Sequence, residues 1–181
     1  MEQLRLFFAM EIPEHIKEEI INLAKIGEKD VWRWTTKENL HITVVFIGYL
    51  AEEQLASVIE AGQKAVQNIQ SFVLKCKEIG YGPDSNERMI WLRLETKDIL
   101  NELKNELEKA LLDKGINFQT DYKKFNPHVT LARLKFGADK PNRQIKKNYI
   151  REFPAEEVVL FNSSRKKGGT EYEPIQSFPL N

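Results

Sequence analysis

Cysteine is nearly missing: Cys76 stands alone among 181 residues. One thiol closes no intramolecular disulfide and builds no cysteine-rich zinc site. Net charge is missing as well, because 27 Lys and Arg balance 27 Asp and Glu. The whole molecule therefore exerts no long-range pull on nucleic acid, and any such contact must come from a local basic patch. Long apolar runs are lacking too. The stretch Leu4–Met10 leads straight into Glu11, which suits neither a secretory signal nor the roughly 20 apolar residues of a membrane span. Glycine signatures of the Walker and Rossmann kinds do not occur, so nucleoside-triphosphate and dinucleotide use find no support. These absences leave a cytoplasmic enzyme or binding protein with no membrane segment as the expectation.

Histidine is scarce at three residues, yet two of them sit in copies of one motif. His41-Ile42-Thr43-Val44 returns as His128-Val129-Thr130-Leu131, about half the chain away. Both runs are β-branched and apolar, at strand length. Side chains alternate along a strand, so His41 and Thr43 share one face, as do His128 and Thr130. Two such strands facing a common space would assemble two imidazoles and two hydroxyls. An imidazole titrates near pH ~6.5, so a pair can supply an acid and a base in one step. Threonine hydroxyls can donate to the non-bridging oxygens of a phosphate. Arg133 lies five positions after His128 and faces away in an unbroken strand; a bulge or the end of the strand would turn it back to add its charge. A zinc site would want a third protein ligand, and the motifs offer threonine in its place. His15, in the first helix, reads as solvated.

The remaining pattern sets the fold class. Leu4–Ile12 reads as a strand, and Pro13 opens a helix whose Ile16, Ile20, Leu23 and Ala24 recur at helical spacing up to Gly27. Val31–Trp34 is a short candidate strand, and the first motif strand ends near Gly48. Glu52–Gln67 reads as a second helix. Phe72–Ile79 and Met89–Leu94 form a hairpin about the turn Gly80–Asn86. Asp98–Lys114 is the strongest helix, with Leu100, Leu103, Leu107, Ala110 and Leu111 on its apolar stripe and Gly115 at its end. Ile116–Asn126 is a polar loop, Gly137–Tyr149 a loop or short helix, and Glu157–Ser164 pairs with Tyr172–Phe178 across the basic turn Arg165–Gly169. Hairpins separate the helices, which argues for an α+β chain with mostly antiparallel sheet. Residues 1–181 are taken as one domain. Trp32, Trp34 and Phe46 could stack on bases, and each reads at least as readily as a core aromatic. The turn Arg165–Lys167 reads equally as a phosphate contact or a solvated tip.

The paired His-x-Thr-x motifs resemble those of the two-histidine (2H) phosphoesterase superfamily, and within it the RNA 2′,3′-cyclic phosphodiesterases, also called 2′-5′ RNA ligases of the LigT type. Arg5–Pro13 is similar to that family's opening strand. Trp34, Glu38–Thr43 and Phe46–Gly48 resemble its first motif block, and Phe125–Arg133 resembles its second. Leu160, Ser163, Gly168 and Tyr172 resemble its closing hairpin, although Arg165 stands where an aliphatic residue is expected. The resemblance implies two pseudo-symmetric lobes around a central cleft, with helices on the outside. It implies hydrolysis of cyclic phosphate RNA ends to 2′-phosphomonoesters, with His41 as proton donor and His128 as proton acceptor. Thr43, Thr130 and Arg133 would bind the phosphate, with no cofactor and no metal. The partner would be an RNA end, tRNA fragments included, met by a monomer. Run in reverse, the same site would join RNA ends without ATP; a non-catalytic RNA-end binder is the reading of another class.

Overall fold

A computed structural model describes residues 3–24, 31–84, 86–95, 98–118, 125–140, 142, 145–167 and 169–181. The chain opens with strand β1 (Gln3–Glu11) and helix α1 (Glu14–Ala24), whose first turn closes on the Pro13 carbonyl. Gly27, the end expected for that helix, lies outside the described residues. Next come β2 (Trp32–Trp34), a 3-10 turn at Lys37–Asn39, β3 (His41–Ala51), α2 (Leu55–Val66), β4 (Phe72–Gly82) and β5 (Met89–Leu94). Then follow α3 (Asp98–Asp113), β6 (His128–Leu134), β7 (Lys146–Asn148), β8 (Glu152–Ala155), β9 (Glu157–Lys166) and β10 (Gly169–Pro179).

The strands form an antiparallel array in the order β10-β9-β1-β3-β6-β5-β4-β7. β2 pairs with β6, and β8 with the start of β4. The expected α+β class and antiparallel sheet are both present. β1 is central, and that explains its uninterrupted apolar run. Leu6, Phe8 and Met10 face the main core, while Phe7 and Ala9 pack on Val159 and Phe161 on the other side. α2 and α3 pack on each other, α2 also on β10 and α3 on β3. The α3 stripe is buried as expected. In α2 the buried line is centred on the small residues Ala61, Gly62 and Ala65. A Cβ on Gly62 would stand 2.8 Å from the Phe178 ring and 3.0 Å from Phe8, so helix and sheet approach closely there.

Two expectations need correction, and strand β8 was not anticipated. The Gly137–Tyr149 segment is neither plain loop nor helix: it holds β7, whose three side chains are all exposed. Backbone pairing of Lys146–Asn148 with Gly80–Glu78 makes it an edge strand, so no apolar alternation marks it. β8 buries just Phe153 and Ala155, too short a pattern to read. β3 continues past Gly48 to Ala51, passing through Gly48 at φ +94°. Cys76 is buried in β4, and burial pushes its thiol pKa up to about 12.

Candidate active site

β3 and β6 pair at one position, Ile42 opposite Val129, the second residue of each motif. The two copies therefore meet about a local two-fold axis. Beyond that contact β3 follows β1, and β2 takes over the same edge of β6. Ile42 and Val129 are buried in the core. Their neighbours His41, Thr43, His128 and Thr130 occupy the opposite face and line one cleft of about 390 Å³.

Both strands then bulge at the same place. In β3, Thr43 pairs with Ala9 and Val45 with Phe8, leaving Val44 as the extra residue. In β6, Thr130 pairs with Trp91 and Ala132 with Ile90, leaving Leu131 as the extra residue. Val44 and Val45 are both buried, as are Leu131 and Ala132. Each bulge shifts the alternation by one position. Phe46 and Arg133, each five residues after its histidine, are thereby returned to the cleft. The bulge that turns Arg133 back is present, and its twin in β3 delivers an aromatic ring in place of a cation.

The histidine rings are held from behind in the same way. Nδ1 of His41 lies 2.8 Å from the Asn39 carbonyl oxygen, and Nδ1 of His128 lies 2.8 Å from that of Asn126. A carbonyl only accepts, so each Nδ1 carries the hydrogen and each Nε2 is left for other partners. Thr43 Oγ1 is 3.0 Å from His41 Nε2. The aromatic surroundings differ. His128 stacks on Trp91, centroids 3.7 Å apart and planes at 19°. Trp91 itself lies across Gly82, where a Cβ would come within 2.2 Å of the indole. His41 meets Tyr172 edge-on at 4.9 Å and Phe7 at 5.0 Å. Tyr172 belongs to the β9–β10 hairpin, which reaches the Lys37–Asn39 turn: Asn39 Nδ2 donates to the Thr170 carbonyl oxygen at 2.7 Å.

The sequence model of the family described as LigT like Phosphoesterase matches twice, over residues 10–91 and 92–172. The chain belongs to the LigT-like phosphoesterase family. One relative is an RNA 2′,3′-cyclic phosphodiesterase of Methanocaldococcus jannaschii, 33% identical over 97% of this chain and 100% of that protein. The Escherichia coli protein of the same description is 30% identical over 99% of this chain and 98% of its own length. The crystal structure of E. coli LigT complexed with 3′-AMP superposes with a TM-score of 0.81 at 27% identity, covering 99% of both chains. The two-lobed LigT fold is thus shared, and the twofold match accords with the doubled motif.

The cleft of this LigT-like phosphoesterase is electropositive although the chain is neutral overall. Arg5, Arg33, Arg133 and Arg165 line it, together with Thr35, Ser163 and Thr170, and among the described residues no carboxylate does. Burial is the main cause that lowers the pKa of His41 from 6.5 to about 4; His128, Arg133 and Lys17 push the same way against the Asn39 carbonyl. Burial also holds His128 below its ordinary value, aided by Arg133 and Arg93. Both imidazoles are therefore neutral at pH 7 in the empty cleft. Arg133 is itself lowered by burial and by Arg33 and Arg5. Among the described residues no group of three or more His, Cys, Asp or Glu is placed to hold a metal ion.

The other sequence candidates separate cleanly. Trp32 is a core residue stacked on Tyr81. Trp34 packs against the core. Phe46 alone of the three reaches the cleft, with the Arg5 guanidinium 4.8 Å above its ring. In the basic turn, Arg165 lines the cleft while Lys166 pairs with Glu171 at 2.5 Å; Gly168 lies outside the described residues. His15 is exposed in α1. Sequence reasoning missed Trp91, Phe7 and the two asparagines. The asparagines did leave a signal, because the repeat extends upstream as Asn-x-His-aliphatic-Thr.

Proposed function

We propose that this chain opens the 2′,3′-cyclic phosphate at an RNA end to a 2′-phosphomonoester. The reading assigns His41 as the proton donor, His128 as the proton acceptor, and Thr43, Thr130 and Arg133 as phosphate ligands. The observation that carries it is the pair of imidazoles on one cleft face, each with Nδ1 fixed by a backbone carbonyl so that Nε2 is the nitrogen available for proton transfer, that of His41 lying 3.0 Å from Thr43 Oγ1. Water attacks phosphorus while Nε2 of His128 takes its proton. The bond to the 3′ oxygen breaks, and that oxygen receives a proton from His41. Hydroxyls and a guanidinium around the phosphate stabilise the charge gathered on its non-bridging oxygens.

A charged acid has to arise in a cleft that disfavours it. The phosphodiester brings its own negative charge into a poorly solvated space, and an anion beside an imidazole raises its pKa. Binding thus prepares the acid, and neither metal nor nucleoside triphosphate enters the scheme. With a 5′-hydroxyl in place of water the same steps join two RNA ends through a 2′-5′ bond. The relatives described as RNA 2′,3′-cyclic phosphodiesterases support RNA ends as the substrate class. The reading takes the protein as a cytoplasmic monomer acting on RNA fragments, those of tRNA included. No helix among the described residues is long and apolar enough to cross a membrane.

The test is an oligoribonucleotide with a 2′,3′-cyclic phosphate end, incubated in EDTA. A 2′-phosphate product is expected, with His41→Ala and His128→Ala each losing at least about a hundredfold in kcat. A 3′-phosphate product, or either variant retaining full turnover, would overturn the assignment.

A further inference from the structure

The cleft holds more positive charge than one cyclic phosphate can use. A terminal phosphodiester carries a single negative charge. The proposed reaction meets it with Thr43, Thr130, Arg133 and the histidine pair. Arg5, Arg33 and Arg165 also line the cleft. Elsewhere the protein pairs its cations: Lys37, Lys64, Lys75, Lys104, Lys114 and Lys140 all have carboxylate partners. Among the described residues the ion pairs engage none of the four cleft arginines.

Their placement opposes the stability of the empty protein. Arg33 on β2 stands directly opposite Arg133 on β6. Like charges facing each other across two strands are unfavourable. An arrangement that breaks a local rule is expected where function requires it. Arg5 is held between the Ser163 hydroxyl at 3.3 Å and the Phe46 ring at 4.8 Å. Arg165 lines the same cleft from the β9–β10 hairpin. Its cross-strand partner Thr170 is tied through its carbonyl to Asn39. Guanidinium forks that line one cleft suit the oxygens of a phosphate bound in it.

We infer that the cleft has a second anion subsite, built around Arg33 and Arg165, for the internucleotide phosphate next to the reacting end. The inference rests on the function proposed above and narrows its substrate class to a strand of two or more nucleotides. A free nucleoside 2′,3′-cyclic phosphate leaves the subsite empty and is a poor substrate. A mononucleotide bearing a 5′-phosphate fills it in part.

Four ligands test this: adenosine 2′,3′-cyclic phosphate, its 5′-phosphorylated form, the dinucleotide ApA with a cyclic phosphate end, and that dinucleotide with a neutral methylphosphonate linkage. The charged dinucleotide should exceed both the free nucleoside form and the neutral dinucleotide in kcat/KM by roughly tenfold or more, the scale of a charge-assisted contact. Arg165→Ala and Arg33→Ala should each collapse that ratio toward one. Equal turnover of the charged and neutral dinucleotides by the wild-type protein would overturn the inference while leaving the cyclic phosphodiesterase reading intact. Binding of the matching 2′-phosphate products is measured in parallel. If nothing is cleaved but the charged dinucleotide product still binds about tenfold tighter in an Arg165-dependent way, the subsite stands and the proposed reaction falls. Equal binding of charged and neutral products, without turnover, removes both.

Discussion

At the residue scale, Gly82 governs a histidine it never touches. Trp91 lies flat under the His128 ring, and the indole occupies the space that a Cβ on residue 82 would need. Gly82→Ala should therefore push the indole toward the imidazole. Overpacking of this kind costs about 1–3 kcal/mol of stability. Under the proposed function a displaced His128 also costs catalysis, roughly tenfold or more in kcat for an error of under an ångström. The prediction is checked by the melting temperature together with kcat and KM on an oligonucleotide with a cyclic phosphate end. A stability loss with unchanged kcat would mean that Trp91 is packing alone. The cleft residues His41, Thr43, His128 and Thr130 could be read from the sequence because strand alternation fixes their shared face. Trp91 could not. It belongs to an ordinary apolar strand, and nothing in that pattern says which neighbour its ring will cover.

At the scale of elements, alternation was legible and its interruptions were not. The bulges at Val44 and Leu131 cannot be read from two consecutive apolar residues, yet they decide that Phe46 and Arg133 enter the cleft. Edge strand β7 was illegible for the opposite reason: backbone bonds hold it, and its side chains carry no pattern. The β9–β10 hairpin was legible as a hairpin, but its reach over the cleft is set by tertiary contacts: the ring of Tyr172 against His41 and Phe7, and a hydrogen bond from Asn39 Nδ2 to the Thr170 carbonyl. Asn39→Ala removes that bond and keeps the backbone carbonyl that orients His41. One hydrogen bond is worth about 1 kcal/mol, so KM should rise roughly fivefold if the hairpin forms part of the substrate wall. The turnover number should hold, because the histidine pair is untouched. Amide exchange at Thr170 and Glu171 should quicken in the variant. A fall in kcat at constant KM would show that Asn39 acts through His41.

At the scale of the whole molecule, the two lobes share one interior. The main core cluster runs from Leu6, Phe8 and Met10 of β1 through Ile42 and the buried stripes of α2 and α3. It continues to Leu74 of β4, Leu92 of β5, Val129 of β6 and Phe153 of β8. Cooperative loss of both lobes in one transition is therefore expected, and a denaturation curve that splits between far-ultraviolet dichroism and tryptophan fluorescence would contradict it. The same experiment followed against pH tests the cleft. His41 has a folded pKa near 4 against an unfolded value of 6.5, with burial as the main cause. Between those values the unfolded chain binds a proton that the folded protein refuses. Stability thus rises with pH across the window and is lost as pH falls from about 6.5 toward 4. The loss by pH 5.5 should be on the order of 1 kcal/mol for His41, with His128 adding in the same direction. Inorganic phosphate should reverse the trend, because an anion in the cleft favours the charged imidazole and itself binds only the folded protein. In His41→Ala the slope between pH 6.5 and 5 should flatten. Glu19, Glu38 and Asp113 are held below their ordinary values, so the stability they contribute is lost below this window. An unchanged slope in that variant would mean that His41 is not the source of the acid sensitivity.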